Sequence, residues 1–235
     1  MKAKDLIFAL IFILIFLPFF VFQEAYEWFT TTTKEHGFIM SFVKFAILAT
    51  MGESLGLRIK TGRYNFKGFG LLPRAIVWGF LGLFIFIAFK IFATGTPVFL
   101  DYMGLKDVKE GFTSPDFNTT KLITAFFISF FMNLIFAPVM MTFHKITDTH
   151  IEQKGGKVTS LFTGIPIGKI MSEDINWKVQ WGFVFKKTIP FFWIPAHTIT
   201  FMLPSEFRVL FAAVLGIALG VILAIASQMN KNQSK

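Results

Sequence analysis

The sequence predicts an all-α membrane protein: a polytopic helical bundle of about six transmembrane helices with both termini in the cytoplasm. The first observation behind this prediction is composition, because the 235 residues are 54% hydrophobic, have a mean hydropathy of +0.62 and include 34 Phe. A soluble domain of this size has too little interior to bury so much apolar surface, whereas lipid solvates it. The other two observations are the number of long apolar runs and the alternation of charge between them.

Six apolar runs follow one another along the chain. Each is near the roughly 20 residues that a helix needs to cross about 30 Å of hydrocarbon. Helices are predicted because backbone groups in lipid must pair within their own segment, and the alternation typical of barrel strands is absent. Gln23 stands where signal-peptide cleavage needs a small residue, so the first run is interpreted as a membrane helix. The runs are residues 6–22, 37–51, 75–99, 122–143, 183–203 and 207–226.

The segments between the runs alternate in charge. Segment 53–74 carries five Arg or Lys against one Glu, and segment 144–187 carries seven Lys against four acids. Segments 23–36 and 94–120 are acidic on balance. Basic loops collect on the cytoplasmic side, so six crossings place every basic segment there. This distribution accounts for the net charge of +9 without nucleic acid, which is not predicted as a partner.

The chain is interpreted as one transmembrane domain, residues 1–235. Within it, residues 1–36 form an additional N-terminal helix and an outer loop, residues 37–227 form the main bundle, and residues 228–235 form a polar tail. Segment 144–181 contains several glycines followed by Trp177 and Trp181. We expect a turn there and then a short helix at the inner membrane interface, where Trp and Lys are stable.

Four polar residues inside the apolar runs are candidates for lining a pore, because polar groups at membrane depth are costly. For Lys90 the alternative is structural pairing, and for His197 it is a buried, hydrogen-bonded ring. Pro190 and Pro195 are expected to break the fifth helix and free carbonyls near His197. The four candidates are Lys90, Asn133, His197 and Thr200.

Two features concern the last two helices. Small residues recur at every fourth position of the last helix, a face that lets another backbone approach, either within the bundle or in a homo-oligomer. They are Ala212, Gly216, Gly220 and Ala224. Residues 204–206 are expected to form a tight turn, after which Arg208 reaches a carboxylate or the carbonyls of another helix end.

Sequence patterns of catalysis are missing from this chain. It has no pair of His with a Glu at the metal-ligand spacing of a helix, no glycine-rich phosphate loop and no nucleophile elbow. His144 and His150, six residues apart, are only a weak metal signal. It also has no Cys, which excludes thiolate sites. No enzyme activity, catalytic residue, cofactor or metal site is therefore predicted.

Several motifs occur in an order that resembles a known family. Gly52 and Glu53 follow the second apolar run, and Arg74 enters the third. Asn133 precedes Ala137-Pro138 by four residues, and a C-terminal motif contains Trp193, Pro195, Phe201, Pro204 and Arg208. This pattern resembles the Mpv family of small organelle membrane proteins, from which the chain departs at Leu57, Met132 and Ile199. The resemblance implies a compact helical membrane protein that forms a pore, with structural roles for Gly52, Glu53, Arg74, Pro138, Trp193, Pro195, Pro204 and Arg208.

The first functional hypothesis is a channel or transporter-like protein for ions or small solutes. The alternative is a structural or regulatory protein that binds lipid or partner helices without transport. The expected partner in both cases is the lipid bilayer, in the plasma (inner) membrane of a bacterium or an organelle membrane of a eukaryote. A water-filled path favours the first hypothesis, and a dry bundle filled with Phe favours the second.

The charge pattern predicts the side of the membrane on which each terminus lies. A reporter fused after Lys235 should be active if it works in the cytoplasm and silent if it works only outside it. The same pair of reporters fused in the acidic segment 94–120 serves as the control, with the opposite result expected. Activity of the external reporter after Lys235 would contradict an even number of crossings with both termini inside.

Overall fold

The computed structural model describes the backbone of residues 3–233 and the side chains of residues 3–222. About 85% of the chain is helical, and the described residues form no strands. The chain forms two compact units, Met1–Met40 and Ser41–Lys235. The all-α fold class predicted from the sequence is confirmed.

The first unit contains two helices, α1 (Ala3–Val21) and α2 (Gln23–Glu35). Phe22 separates them in an extended conformation, and the rings of Phe19 and Phe29 then meet with centroids 4.9 Å apart. The prediction of an outer loop over residues 23–36 is wrong for most of that segment. Acidic residues indicate the side of a membrane and do not prevent a helix, and here Gln23 donates a hydrogen bond to Glu27 one turn away.

Most of the helices belong to the second unit, although α3 begins a few residues before it. The chain passes through three long helices and a short one, crosses a 3₁₀ turn, and ends in helices partly of π geometry. These elements are α3 (Gly37–Thr61), α4 (Leu71–Tyr102), α5 (Val108–Thr113), α6 (Thr119–Gln153), the 3₁₀ turn (Val158–Phe162), α7 (Ile167–Lys169) with a π turn (Ile170–Asp174), α8 (Trp177–Val179), a π segment (Gln180–Trp193), α9 (Ile194–Met202) and α10 (Ser205–Gln233).

Five helices of the described chain are long and apolar enough to cross a membrane: α1, α3, α4, α6 and residues Ser205–Ile222 of α10. The chain is therefore a multi-pass membrane protein. The remaining predicted crossing, residues 183–203, lies in a helical run from Trp177 to Met202 that changes from α to π and back to α geometry. That segment is helical, but its crossing of the membrane stays a prediction.

Prolines do not break this run, contrary to the expectation. Pro190 lies within the π segment, and Pro195 occupies one of the first positions of α9. A proline lacks an N–H and is best tolerated at a helix start or where the hydrogen-bonding pattern changes. The Ile194 N–H donates to the Ile189 carbonyl, five residues back, at the end of the π segment.

Two helices continue well beyond their apolar runs. The run ending at residue 51 belongs to a helix that reaches Thr61, and the run ending at residue 143 belongs to a helix that reaches Gln153. The loop predicted to begin at residue 144 therefore begins ten residues later, after Gln153. The short helix expected after the turn in that loop is present as α7. Hydropathy marks the part of a helix that suits lipid and carries no information about where the backbone pattern ends.

Glycines allow α4 to approach α3 closely. A Cβ atom added at Gly79 would lie 2.5 Å from the Phe42 ring, and one added at Gly82 would lie 2.7 Å from the Ser41 carbonyl oxygen. At Gly82 the neighbour is backbone, so no side chain fits there, whereas at Gly79 the Phe42 ring would have to move. Close contact between backbones is the usual way in which helices associate where lipid removes the hydrophobic driving force.

Only part of the small-residue face of α10 packs against another helix of the chain. Gly220 lies against α3, where an added Cβ would be 3.3 Å from the Gly52 carbonyl oxygen. An added Cβ at Gly52 would lie 2.9 Å from the Ile217 Cα atom, whereas one at Gly216 would meet nothing within 4 Å. The face that packs within the chain thus includes Gly220 but not Gly216. The side chain of Ala224 lies outside the described residues.

A tight turn joins the last two helices, as predicted, but it consists of residues 203–204, because α9 ends at Met202 and Ser205 and Glu206 already belong to α10. Arg208 turns back over this connection. Its Nε donates to the Leu203 carbonyl oxygen at 2.9 Å, and its guanidinium carbon lies 5.0 Å from the Phe112 ring centroid. Of the two partners expected for Arg208, the carbonyl at a helix end is therefore present.

The glycine contacts predict different outcomes for one substitution at two positions. Gly52→Ala should destabilise the protein by about 1–3 kcal/mol, because its methyl group would collide with the backbone of α10. Gly216→Ala should be neutral or slightly stabilising, because the space is open and Ala favours helix. Thermal unfolding in detergent tests both variants. Equal melting temperatures would show that α3 and α10 do not pack at Gly52.

Candidate functional site

The site is positioned by the start of α4 and the end of α6. Gly70 precedes α4 in the left-handed conformation with φ of 75°, and Gly156 follows α6 with φ of 70°. An added Cβ at Gly156 would lie 2.6 Å from the Gly70 nitrogen, so the two backbones touch. This contact requires glycine at both positions and brings Arg74, in the first turn of α4, beside the last turns of α6.

Arg74 is the centre of a network of ion pairs. Its Nη1 lies 2.8 Å from Glu53 Oε2 and 2.6 Å from Asp148 Oδ1, and its Nη2 lies 2.6 Å from Glu152 Oε1. Its Nε donates to the Phe69 carbonyl oxygen at 2.8 Å. The Arg74 side chain is only 3% exposed, so two helices, α3 and α6, and the Phe69 carbonyl supply the partners that replace its water.

Two further side chains complete the surroundings of Glu53. The Trp78 indole Nε1 donates to Glu53 Oε1 at 2.8 Å. The His144 Nε2 lies 3.0 Å from the same oxygen and 3.6 Å from Asp148 Oδ1. The Trp78 and His144 rings are themselves in contact, with centroids 4.3 Å apart. Glu53 is thus held from α4 by Arg74 and Trp78 and from α6 by His144.

The positions of these charges oppose the helix dipoles. Arg74 lies at the N-terminus of α4, which carries partial positive charge, and Asp148 and Glu152 lie near the C-terminus of α6, which carries partial negative charge. Each charge is therefore unfavourable on its own helix. Placing the guanidinium against the carboxylates compensates both helix ends at once.

One group of three side chains in this network has the composition of a metal site. Glu53, His144 and Asp148 each offer one ligand atom, and these atoms lie within 4.8 Å of one another. The sequence does not reveal this group, because its members come from two helices that are far apart in the chain. Their side chains are partly buried, with exposed fractions of 16–21%.

A second polar cluster lies further along α6, where that helix meets α9. Asn133 is fully buried and its Nδ2 lies 3.1 Å from His197 Nδ1, while it also donates to the Ser129 carbonyl oxygen at 2.8 Å. Ser129 in turn donates to the Ile194 carbonyl oxygen at 2.7 Å. The His197 ring stacks on Trp193 and meets the edge of Phe89. Polar groups of two helices therefore pair inside an aromatic surrounding.

The four pore-lining candidates do not all come together. Asn133 and His197 are in contact, and Thr200 is fully buried but donates to Ala196 of its own helix at 2.9 Å. Lys90 is exposed on the outer face of α4, with its Nζ 5.5 Å from the Phe86 ring centroid. The register of α4 explains this, because positions 81, 85, 88 and 89 face inward.

The structural candidates have separate places. Gly52 and Gly220 lie at the contact of α3 with α10, and Glu53 and Arg74 form the ion-pair network. Pro138 lies inside α6, where its carbonyl accepts from Thr142 at 2.7 Å. Pro195 and Pro204 are exposed, and Trp193 has a buried indole Nε1 that finds no hydrogen-bond partner among the described residues.

Sequence reasoning missed Trp78, His144, Asp148 and Glu152 as site residues. A signal was present, since His144, Asp148 and Glu152 recur at every fourth position directly after the apolar run and so share one helix face. The assignment of this segment to a loop concealed that face. Comparison with known proteins gives no further assignment: no family model, no curated protein and no solved structure matches the chain.

The ion-pair network predicts a strong effect of removing its centre. Arg74→Gln should lower the free energy of unfolding by about 3–5 kcal/mol, because it leaves three carboxylates close together without their cation. Arg63→Gln is the matched control at an exposed position and should change it by less than about 0.5 kcal/mol. Unfolding in detergent measures both, and equal stability of the two variants would contradict the role given to Arg74.

Proposed function

We propose that this multi-pass membrane protein is a channel or transporter-like protein that conducts an ion or small solute along the inward face of α6. The membrane would be the inner membrane in a bacterium or an organelle membrane in a eukaryote. The motifs resemble those of the Mpv family, whose members are organelle membrane proteins. The supporting observation is a row of polar residues on one side of a membrane helix.

The row consists of Ser129, Asn133, His144 and Asp148. Their spacing places them within a sector of about 100° on α6, and they extend over about 28 Å of its axis. Ser129 and Asn133 lie within the apolar run of residues 122–143, and His144 and Asp148 directly follow it. Ser129 and Asn133 contact the segment around α9, and His144 and Asp148 contact Glu53 and Arg74. Polar residues within an apolar run, as Ser129 and Asn133 are, are costly to bury and commonly mark the path of a solute.

The contact between Asn133 and His197 is the proposed constriction. Phe89 and Trp193 enclose the imidazole, and Ser129 already occupies the Ile194 carbonyl. Ala137, one turn further along the row, is small and buried. If α9 moved away from α6, Asn133 and His197 would bond a passing solute instead of each other. This movement would expose no new polar groups to lipid.

The alternative, a structural or regulatory protein that binds lipid or partner helices, also has specific support. The polar atoms of Asn133 and Arg74 are paired within the chain, as in a bundle pinned by buried bonds. Gly216 remains open on α10, which suits contact with another helix, including that of a second copy in a homo-oligomer. Transport measurements separate the two functions, because only the first requires flux.

If the chain conducts a solute, replacing a polar residue that faces inward should alter flux, and replacing one that faces outward should not. The purified chain in liposomes should carry flux of K⁺, Cl⁻ or a small neutral polyol above that of empty liposomes. Asn133→Leu and His197→Leu should each change this flux by about tenfold per folded molecule, equivalent to about 1.4 kcal/mol in the barrier. Lys90→Leu is the matched control on the outer face and should leave flux unchanged.

Two results would contradict the proposal. The first is wild-type flux no greater than that of empty liposomes for all three solutes, which would support the structural alternative. The second is a loss of stability in Asn133→Leu and His197→Leu with flux per folded molecule unchanged, since the pair would then hold the helices together without taking part in transport.

A further inference from the structure

We propose that Glu53, His144 and Asp148 bind a divalent transition-metal ion of the Zn²⁺ type at the end of the bundle where α3, α4 and α6 meet. The inference goes beyond the proposed conduction and does not depend on it, because binding can be measured without flux. It rests on three properties of the group: its distances, the hydrogen bonds behind its ligands, and its charge.

The distances suit a small cation. His144 Nε2 lies 3.0 Å from Glu53 Oε1 and 3.6 Å from Asp148 Oδ1. Nitrogen and oxygen ligands bind Zn²⁺ at about 2.0–2.2 Å, so two ligands in a tetrahedral site lie about 3.4 Å apart. The two distances from His144 are therefore within about 0.4 Å of this value, and all three ligand atoms lie within 4.8 Å of one another. Three protein ligands also leave a fourth position open for water or a solute.

Hydrogen bonds from neighbouring side chains hold both carboxylates in place. Arg74 binds Glu53 through Oε2, the oxygen that does not face His144. It binds Asp148 through Oδ1, the same oxygen that faces His144, so a metal there would use the second lone pair of that oxygen. Trp78 donates to Glu53 Oε1, which as a carboxylate oxygen has a second lone pair available for a metal. Metal-binding carboxylates in proteins are typically fixed by such outer hydrogen bonds. Arg74 and Trp78 thus act as orienting residues for the ligands.

The charge of the network also favours a divalent cation. Its ion pairs, among the residues that the structure describes, join one guanidinium to three carboxylates. With a neutral His144, the form that binds metal, the sum is −2, which a divalent ion compensates. One imidazole and two carboxylates suit a first-row transition metal, whereas Mg²⁺ prefers oxygen ligands and keeps several waters.

The binding experiment uses the full chain in detergent, purified without a polyhistidine tag and treated with a chelator. Titration with Zn²⁺ alone should show one ion bound per chain and a higher melting temperature, because a ligand that binds the folded state stabilises it. Mg²⁺ at the same concentration should have neither effect. His144→Gln should weaken Zn²⁺ binding at least tenfold, and His36→Gln, at an exposed position in the first unit, should leave it unchanged.

Several outcomes would overturn the proposal. Wild-type protein that binds no Zn²⁺, or His144→Gln that binds it as tightly as the wild type, would leave an ion-pair network only. If His144→Gln fails to fold, X-ray absorption of the Zn²⁺-loaded wild type gives the answer. One imidazole among nitrogen and oxygen ligands at about 2.0–2.2 Å is expected, and two or more would place the ion elsewhere.

Discussion

The burial of one guanidinium determines how the ends of three helices are arranged. Arg74 cannot be deprotonated, so the chain must supply partners for its donors wherever it is buried. Those partners come from α3 through Glu53 and from α6 through Asp148 and Glu152. Because the same contacts also compensate the dipoles of α4 and α6, the three helix ends can meet in only a few arrangements. The contact of Gly70 with Gly156 brings the two backbones close enough for these bonds.

Away from this network, the bundle depends on close contact and aromatic packing. Lipid is as apolar as the Phe side chains that face it, so apolar surface alone does not bring these helices together. Gly79 and Gly82 let α3 and α4 touch, and Gly52 does the same for α3 and α10. At the second polar cluster, Phe89 and Trp193 surround the bond between Asn133 and His197 and exclude competing polar groups. The ion pairs therefore fix one end of the bundle, and size and shape fix the rest.

The sequence was sufficient for the fold class and for most of the helices, because both follow from local hydropathy. It also indicated Glu53 and Arg74, through motif order, and the turn before α10. It did not predict how each helix is rotated about its own axis, or which of its turns meets a neighbouring helix. Lys90 faces outward, and Gly216 meets no neighbour although Gly220, one turn further along the same face, contacts α3. Both differences depend on which neighbours a helix meets. The polar end of α6 was missed for another reason: its last ten residues form a helix that lipid does not require, so hydropathy gave no sign of it.

The positions of the two polar clusters connect the two proposals. Both lie on one face of α6, with the ion-pair network at one end and Asn133 about four turns away. In a medium of low dielectric constant, charge acts over such distances more strongly than it does in water. A divalent ion held by Glu53, His144 and Asp148 would change the charge of that end from negative to near neutral. It would therefore alter the energy of any charged solute moving along the same face, and it would do so without contact with the constriction. Metal binding and conduction can thus be measured separately. In the molecule, however, each would affect the other, because both use the same face of α6.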